Sequence, residues 1–396
     1  MICIKTRYFN IHRILLLAIG LWPYYKSNVA QFQIILCLAV LISFIISQLT
    51  IFLTTECTFL LIIKVLCTTT FSILYVIKYN SFLINARNVK RLMERLQQIC
   101  NELKNEDEIN IMKEYGNNTK RYTTVITLFC ICCVFILIIM PILKPLLNII
   151  LHINKSESHK TLRFIIKQEY FIDQEKYSFL ILLHINTFIC IGSITVTATG
   201  TMLLGYMVHG CGMFKIASYR MEQAMTIKVF KRISTKDEIM IHKEIIYAVD
   251  IHRKAIKYVE LLLSNFEGSF VLLILVGVVS LSLNLFAIFW AISVGNKEDC
   301  IFHFIFVSCV LVYMFLANYV AQEVLDHNSN VHATAYNVHW YIAPIQTQKL
   351  IFFILQKGNK IFVLKLGKLF GASLESFAML IKLSMSYFTF MYSMQQ

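Results

Sequence analysis

Charged residues are scarce in this chain, and so are the residues that usually separate the modules of a soluble protein. Asp, Glu, Lys and Arg make up 15% of the 396 residues, whereas soluble domains carry about a quarter. There are only four prolines, and no Gly/Ser-rich linker divides the chain. These absences argue against a soluble multidomain protein and favour one integrated domain.

Motifs that bring catalytic or metal-binding groups together are also missing. The sequence has 11 histidines, yet it contains no His-Glu-x-x-His, Gly-x-Ser-x-Gly or P-loop pattern. Cys130, Cys132 and Cys133 lack the paired spacing and the second cluster of a zinc site. No apolar run holds the paired carboxylates typical of a proton-coupled transporter. The chain is therefore predicted not to be an enzyme and to need no metal or cofactor.

Long apolar runs are what the sequence does contain, with 57% hydrophobic residues overall. The net charge of +14 would suit a nucleic-acid-binding protein, but the basic residues form no compact patch and lie between the runs. A membrane helix needs roughly 20 mostly apolar residues. Seven runs meet this length: 31–53, 57–78, 122–147, 177–208, 268–292, 300–322 and 371–392. The sequence predicts an all-α membrane protein with seven transmembrane helices in the lipid bilayer and no nucleic-acid partner.

The distribution of basic residues predicts the orientation of these spans. Most of the 37 Lys and Arg residues lie in the N-terminal segment or after spans two, four and six. Because Lys and Arg accumulate on the cytoplasmic side, we expect an intracellular N-terminus and an extracellular C-terminus. This orientation is the inverse of a G-protein-coupled receptor. It places the glycosylation sequon at Asn154 outside, and it leaves open a disulfide between Cys57 and Cys300.

Four segments are expected along the chain. Residues 1–30 should form a cytoplasmic segment with an interfacial helix, because the apolar stretch from Ile14 to Trp22 is too short to span a bilayer. Residues 31–330 should hold spans one to six, with amphipathic helical extensions into the cytoplasm around 87–103 and 236–260. Residues 331–370 should form a cytoplasmic anchor helix region, and residues 371–396 a pore-lining seventh span with a short extracellular tail.

Aromatic and small polar side chains in the outer halves of spans two, three, four and six outline a candidate ligand site. The predicted residues are Phe71, Ser72, Tyr75, Cys133, Leu137, His184, Phe188 and Phe306. A largely apolar pocket with a few hydrogen-bonding groups suits a small volatile organic ligand. Because spans are apolar in any case, contact with lipid or with another helix stays open for each residue. Lys64, a charge inside span two, is expected to be paired, exposed to water or extended toward the membrane surface.

The C-terminal part of the chain carries motifs that resemble those of a known family. They include Tyr336, Trp340-Tyr341 with Pro344, Ser373-Leu-Glu375 and Ser386-Tyr387-Phe388. Together with Gly20-Leu-Trp-Pro23 and the block from His209 to Arg220, these motifs closely resemble the insect odorant receptors. The block around span four is similar to receptors of ants, bees and wasps.

This resemblance implies a function that composition does not show. It implies a tuning subunit that binds odorants in the outer half of the bundle and gates a non-selective cation channel. The implied partner is the olfactory co-receptor, in a heterotetramer in the plasma membrane of olfactory sensory neuron dendrites. Aligned on Ser386-Tyr387-Phe388, the pore and gate positions become Phe390, Ser393 and Met394. A gustatory-type receptor channel and a non-conducting seven-span chemoreceptor remain alternatives.

Overall fold

The computed structural model describes residues 8–25, 27–150, 166, 168–174, 176–226, 235–358, 362–367 and 370–394, with side chains left out at 142–150 and 357. The sequon at Asn154 and the final residue Gln396 lie outside the described residues.

Within these ranges the chain is helical almost throughout. Its helices are α1 (Asn10–Ala18), α2 (Asn28–Leu49), α3 (Ile51–Thr54), α4 (Phe59–Ile84), α5 (Ala86–Glu102), α6 (Glu106–Ile150), α7 (Ser178–Thr226), α8 (Thr235–Val294), α9 (Lys297–Asn337), α10 (Ile345–Gly358) and α11 (Leu374–Ser393). A short antiparallel pair, β1 (Lys365–Leu366) and β2 (Phe370–Gly371), connects α10 to α11.

Among the described residues, six helical segments are long and apolar enough to cross a membrane. They are Asn28–Thr54, which joins α2 and α3, then α4, α6 as far as Pro141, α7 as far as Met225, α8 and α9. The seventh, α11, has 20 residues, which at 1.5 Å per residue extend ~30 Å, about the thickness of the hydrocarbon core. The predicted all-α class is confirmed, and α11 completes the bundle of seven spans.

Four of the spans are parts of longer helices, namely α6, α7, α8 and α9, which have 45, 49, 60 and 41 residues. The amphipathic segment 236–260 and span five form one uninterrupted helix, α8, of 60 residues, or ~90 Å. No proline interrupts α8, so its hydrogen-bond ladder continues past the apolar run. The predicted extension 87–103 instead forms the separate helix α5, which buries Val89, Leu92 and Leu96. The helical extensions therefore exist, whereas their place in the cytoplasm stays a prediction.

The short N-terminal helix α1 packs into the bundle along one face. It begins at Asn10, earlier than the apolar stretch from Ile14, and Leu16 is fully buried. His12 on the same face lies 3.2 Å from the Thr123 hydroxyl of α6. Burial lowers the pKa of His12 to about 4, because desolvation disfavours the charged imidazolium. We expect His12 to be neutral, and the depth of α1 relative to a membrane surface stays a prediction.

An ion pair joins the starts of α4 and α9. The Lys64 ammonium lies 2.5 Å from the Asp299 carboxylate, and both side chains are largely buried. Of the three situations expected for Lys64, the structure therefore shows pairing. Cys57 and Cys300, which lie near the same end of the bundle, are free thiols.

A candidate ligand cavity between the spans

A cavity of about 240 Å³ lies between α4, α6, α7, α8 and α9. Side chains from β1 and α11 also contribute to its wall. A cavity of 150 Å³ is large enough to bind benzene, so this cavity has room for a molecule of roughly ten non-hydrogen atoms. Most of its lining is apolar, and only a few polar groups reach it.

Three aromatic rings form one wall of the cavity. Phe71 and Tyr75 are four residues apart on α4 and therefore share one face of that helix. The Phe71 ring centroid lies 5.1 Å from that of Tyr75, edge to face, and 4.3 Å from that of Phe306 on α9. All three side chains are buried. Their rings pack against one another, which restricts where each of them can move.

The Tyr75 ring lies directly on the backbone of α7 at Gly192. A Cβ atom at this position would come within 2.0 Å of the ring carbon Cδ2. Gly200, two helical turns further along the same face, lets the ring of Tyr313 approach in a similar way, with a hypothetical Cβ 3.3 Å from Tyr313 Cε2. Small residues on α7 thus bring two aromatic rings against the helix and shape the cavity wall.

Lys78 is the charged residue of the cavity lining. Its side chain is buried, and Nζ lies 4.5 Å from the centre of the Tyr313 ring and 5.9 Å from that of Phe270. Within the part of the chain that the structure describes, no acceptor lies within hydrogen-bond range of Nζ and no carboxylate lies within ion-pair range. Contact with the faces of aromatic rings partly compensates a buried cation.

A neutral hydrogen-bonding group also reaches the cavity. The Thr197 hydroxyl of α7 is buried beside the Cys130 thiol, a weak hydrogen-bonding group, and has no nitrogen or oxygen partner among the described residues. Burying a hydroxyl in this way costs free energy unless a ligand or a water molecule supplies the partner. Together with Lys78, Thr197 could orient a ligand whose body is apolar.

The structure brings together most, but not all, of the residues predicted to form the ligand site. The residues that line the cavity are Phe71, Tyr75, Cys133, Leu137 and Phe306. Whether each of them contacts a ligand stays a prediction. The cavity also extends beyond the predicted outer halves of the spans, since its lining includes Leu366 of β1 and Ala372 beside β2.

Ser72, His184 and Phe188 lie outside this lining. Phe188 stacks on Phe44 of α2 with ring centroids 3.5 Å apart. The two ring nitrogens of His184 lie 2.9 Å from the Ser43 hydroxyl and 2.7 Å from that of Tyr170.

Ser72 donates a hydrogen bond to the backbone carbonyl of Thr68, at 2.8 Å, within α4. His184 and Phe188 both pack against α2, and Phe188, whose ring centroid lies 5.5 Å from that of Tyr75, supports the wall of the cavity from behind.

Sequence reasoning missed Lys78, Thr197 and the residues of the β1–β2 connection. Lys78 falls at the boundary of the predicted span 57–78, where a lysine is expected at the membrane surface. In the structure α4 continues to Ile84, so Lys78 lies ~9 Å before its end. A second lysine in the same largely apolar stretch as Lys64 is the one signal in the sequence that could have indicated it.

The predicted pore residues lie on the exposed side of α11. Phe390 and Met394 are 60% and 71% exposed, and Ser393 is exposed as well. On the opposite side Ser384 is buried, and its carbonyl accepts a hydrogen bond of 3.0 Å from the Ser282 hydroxyl of α8. The helix is therefore fixed to the bundle along one face and leaves the other uncovered in the single chain.

The family-motif residues before α11 also leave apolar side chains uncovered. Tyr336 lies in the last turn of α9, Trp340 and Tyr341 belong to a 3-10 turn, and Pro344 precedes α10. Tyr336, Tyr341 and Phe353 are all more than 60% exposed. These residues lie in the last turn of α9, in the 3-10 turn and in α10, within the segment 331–370 that is predicted to be cytoplasmic.

Comparison with known proteins relates this architecture to receptors of insects. The profile of the family described as 7tm Odorant receptor matches residues 58–385. The chain is 26% identical over 97 residues to "Putative odorant receptor 92a" of Drosophila melanogaster, which is 24% of each chain. It is 23% identical over 161 residues to "Odorant receptor coreceptor" of Aedes aegypti, covering 39% of this chain and 32% of the relative. The chain thus matches about a third or less of the length of these two relatives.

A solved structure matches over nearly the whole chain. The olfactory receptor OR5 of Machilis hrabei, solved in complex with eugenol, superposes with a TM-score of 0.79 at 16% sequence identity. The match covers 98% of each chain. At this level of identity, the similarity shows that the two chains share a fold.

Proposed function

The chain belongs to the 7tm Odorant receptor family, a family of receptors rather than enzymes, and on that premise we propose that it is the odorant-binding subunit of a ligand-gated, non-selective cation channel. The observation that carries the proposal is the 240 Å³ cavity among the spans. Its size and its mostly apolar wall suit a small volatile organic molecule. The family match favours this function over a gustatory-type receptor.

We propose further that the chain assembles with the olfactory co-receptor into a heterotetramer. The similarity to a co-receptor over 161 residues supports this partner. So do the exposed Tyr336, Tyr341 and Phe353, because large apolar patches on an aqueous side of a protein mark interaction surfaces. The basic residues between the spans support the proposed orientation, in which this surface is cytoplasmic.

The uncovered face of α11 supports a role for this helix at the pore. Leu383, Tyr387, Phe390 and Met394 follow one another at helical spacing and form one exposed apolar stripe. Around a fourfold assembly, such a stripe would form rings that close a pore by dewetting. In this proposal Phe390 forms the gate, Ser393 the polar pore position and Met394 the next apolar ring. Four copies of the bulky Phe390 would crowd the gate, which favours a mixed tetramer over a homomer.

The multi-pass membrane protein is proposed to act in the plasma membrane of olfactory sensory neuron dendrites. That location is where a channel opened by airborne ligands would depolarise the sensory cell.

Patch-clamp recording of cells that express this subunit with and without the co-receptor tests the proposed function. We expect no odorant-evoked current from the subunit alone and an inward cation current from the pair in response to members of a volatile panel. A tag placed after Gln396 should be accessible to antibody on intact cells, which checks both surface delivery and the extracellular C-terminus.

Each part of this experiment has a contradicting outcome. A robust current from the subunit alone would contradict the requirement for a mixed tetramer. A surface-delivered pair that ignores the whole panel would contradict the odorant-binding function. Staining of the tag only after permeabilisation would contradict the orientation.

Replacing the proposed gate residue should raise the resting current of the complex. Phe390→Ala removes a large apolar side chain from the constriction and lets water remain there, so we expect a basal current several-fold above wild type. Met379→Ala is the matched control, because Met379 is also exposed on α11 and lies ~16 Å away along the helix. Equal basal currents in both variants and the wild type would place the gate elsewhere.

A further inference from the structure

We propose that the cavity selects small ligands that carry a carboxylate, and that the Lys78 ammonium is the group that binds it. This inference rests on the proposed odorant-binding function and specifies the chemical class of the ligand. No motif in the sequence points to it. It follows from the place that the fold gives to one lysine.

Lys78 has a position that a structural lysine rarely has. It is 3% exposed and lines the cavity. Lysines are almost never fully buried unless they are paired. Those that penetrate a membrane span usually extend toward water, yet the Lys78 side chain turns inward, to the rings of Tyr313 and Phe270. The side chain is thus directed into a space that is otherwise apolar.

The described surroundings of Lys78 lack a counter-charge. Among the described residues, the two ion pairs with the most deeply buried side chains are Lys64 with Asp299, and Arg220 with Glu108. Each pair joins two helices, and its carboxylate provides the counter-charge for the buried cation. Lys78 has only the two aromatic faces among the described residues, and these compensate a desolvated ammonium by ~2 kcal/mol. An uncompensated buried charge costs considerably more than that, so a ligand that supplies the missing anion gains free energy on binding.

The rest of the cavity sets the shape of that ligand. Phe71 lies seven residues before Lys78 on α4, ~10 Å along the helix, and belongs to the aromatic wall with Phe306. An apolar body can therefore contact the rings while its acidic end reaches Nζ. The Thr197 hydroxyl offers a neutral donor in the same cavity. A volume of about 240 Å³ fits roughly ten non-hydrogen atoms, the size of octanoic acid.

Uncharged oxygen groups can also accept a hydrogen bond from Nζ, but less strongly. The charged ammonium strengthens a hydrogen bond to any oxygen acceptor, but a carboxylate adds the Coulomb attraction between two opposite charges, which is stronger in an apolar cavity than in water. The order of preference for ligands of one chain length should be acid, then aldehyde, then alcohol, then hydrocarbon. This ranking distinguishes recognition of a carboxylate from recognition of any oxygen.

Dose–response recording of the complex with the co-receptor tests the inference. The ligands are octanoic acid, octanal, octanol and octane, with a matching six-carbon set and a phenyl-substituted set, all at neutral pH, where the acids are ionised. In at least one set we expect wild type to respond to the acid at a concentration about tenfold or more below that for the alcohol. Lys78→Met should bring the two concentrations to within about threefold, since it removes the charge and keeps the side-chain length.

Two further variants identify the source of the effect. Lys78→Gln keeps a hydrogen-bond donor without the charge, so it should lose the preference for the acid over the aldehyde and keep that of the aldehyde over the hydrocarbon. Lys90→Met is the matched control. It removes a charge from an exposed position of α5 next to Glu94 and should leave the ligand order unchanged.

The outcomes separate this inference from the proposed function. Wild type that responds to volatiles but shows no preference for the acid in any set overturns the role of Lys78 and leaves the odorant-binding function standing. A preference for the acid that persists in Lys78→Met would likewise contradict the role of Lys78. A surface-delivered wild-type complex that responds to no volatile at all would overturn the proposed function itself. Lys78→Met should still respond to the aldehyde and the alcohol. A variant that fails to fold would instead show no current with any volatile.

Discussion

Replacing Arg220 by Met is expected to lower the folded, surface-delivered amount of the receptor severely. Arg220 of α7 donates two hydrogen bonds to the Glu108 carboxylate of α6, from Nε at 2.5 Å and from Nη2 at 2.9 Å. Nη1 donates a third, of 3.1 Å, to the backbone carbonyl of Tyr247 on α8. One guanidinium thus joins three of the longest helices.

The size of this effect follows from burial. The Arg220 and Glu108 side chains are 16% and 6% exposed, so removal of one partner leaves the other as an uncompensated charge. Breaking a buried pair in this way costs about 3–5 kcal/mol, a large part of the stability of a typical domain. Surface biotinylation and the thermal midpoint of the detergent-solubilised protein would measure the loss.

Lys254→Met is the matched control for Arg220→Met. Lys254 contacts Glu102 and Asp250 at 2.7 and 2.8 Å, but all three side chains are more than a third exposed. An exposed pair of this kind contributes about 0–1 kcal/mol. Equal decreases in the thermal midpoints of the two variants would contradict the claim that the buried pair contributes more stability than the exposed one. The double variant Arg220→Met with Glu108→Leu should recover part of the loss, because no charge then remains buried alone.

Replacing Gly192 by Ala is expected to abolish or greatly weaken the odorant response while most of the protein still folds. The added Cβ would overlap the Tyr75 ring at 2.0 Å. This ring cannot move away easily, because Phe71 and Phe188 hold it with ring centroids 5.1 and 5.5 Å away. The strain of such overpacking is typically about 1–3 kcal/mol, and its relief would displace the aromatic wall of the cavity. We expect the half-maximal odorant concentration to rise by about 10- to 100-fold.

Gly268→Ala provides the matched control for this variant. Gly268 lies in α8, and a Cβ there would meet no atom within 4 Å, so its dose–response curve should match that of wild type. A double-mutant cycle gives the second check. With Tyr75→Leu already present, Gly192→Ala should have little further effect, because the ring with which the new methyl group collides is gone. Independent, additive effects of the two substitutions would contradict the proposed contact.

The number of membrane spans could be predicted from the sequence, whereas the positions at which their helices end could not. Seven long apolar runs are enough to predict seven membrane helices, since a bilayer requires a minimum length of apolar helix whatever the neighbouring segments do. Their ends could not be predicted in the same way. α8 reaches back to Thr235 and α4 continues to Ile84, because a helix continues until its hydrogen-bond ladder is broken, and a change from apolar to polar side chains does not break it.

The candidate site shows why the remainder could not be predicted. Phe71 and Ser72 are adjacent in the sequence, yet only Phe71 lines the cavity. His184 and Phe188 share one face of α7, and that face packs against α2 instead. Apolar content is similar on all sides of a membrane helix, so the sequence carries little information about which side faces a cavity, a neighbouring helix or lipid.

From the sequence alone follow the membrane class, the number of spans, the expected orientation and the resemblance to a receptor family. Each of these depends on hydrophobic length, basic charge or local motif, which do not require knowledge of distant contacts. The tertiary structure alone decided that Lys64 meets Asp299, that Gly192 receives the Tyr75 ring, and that Lys78 turns into the cavity. Such pairings depend on how each helix is rotated within the bundle, and that rotation is set by the packing of all the helices together.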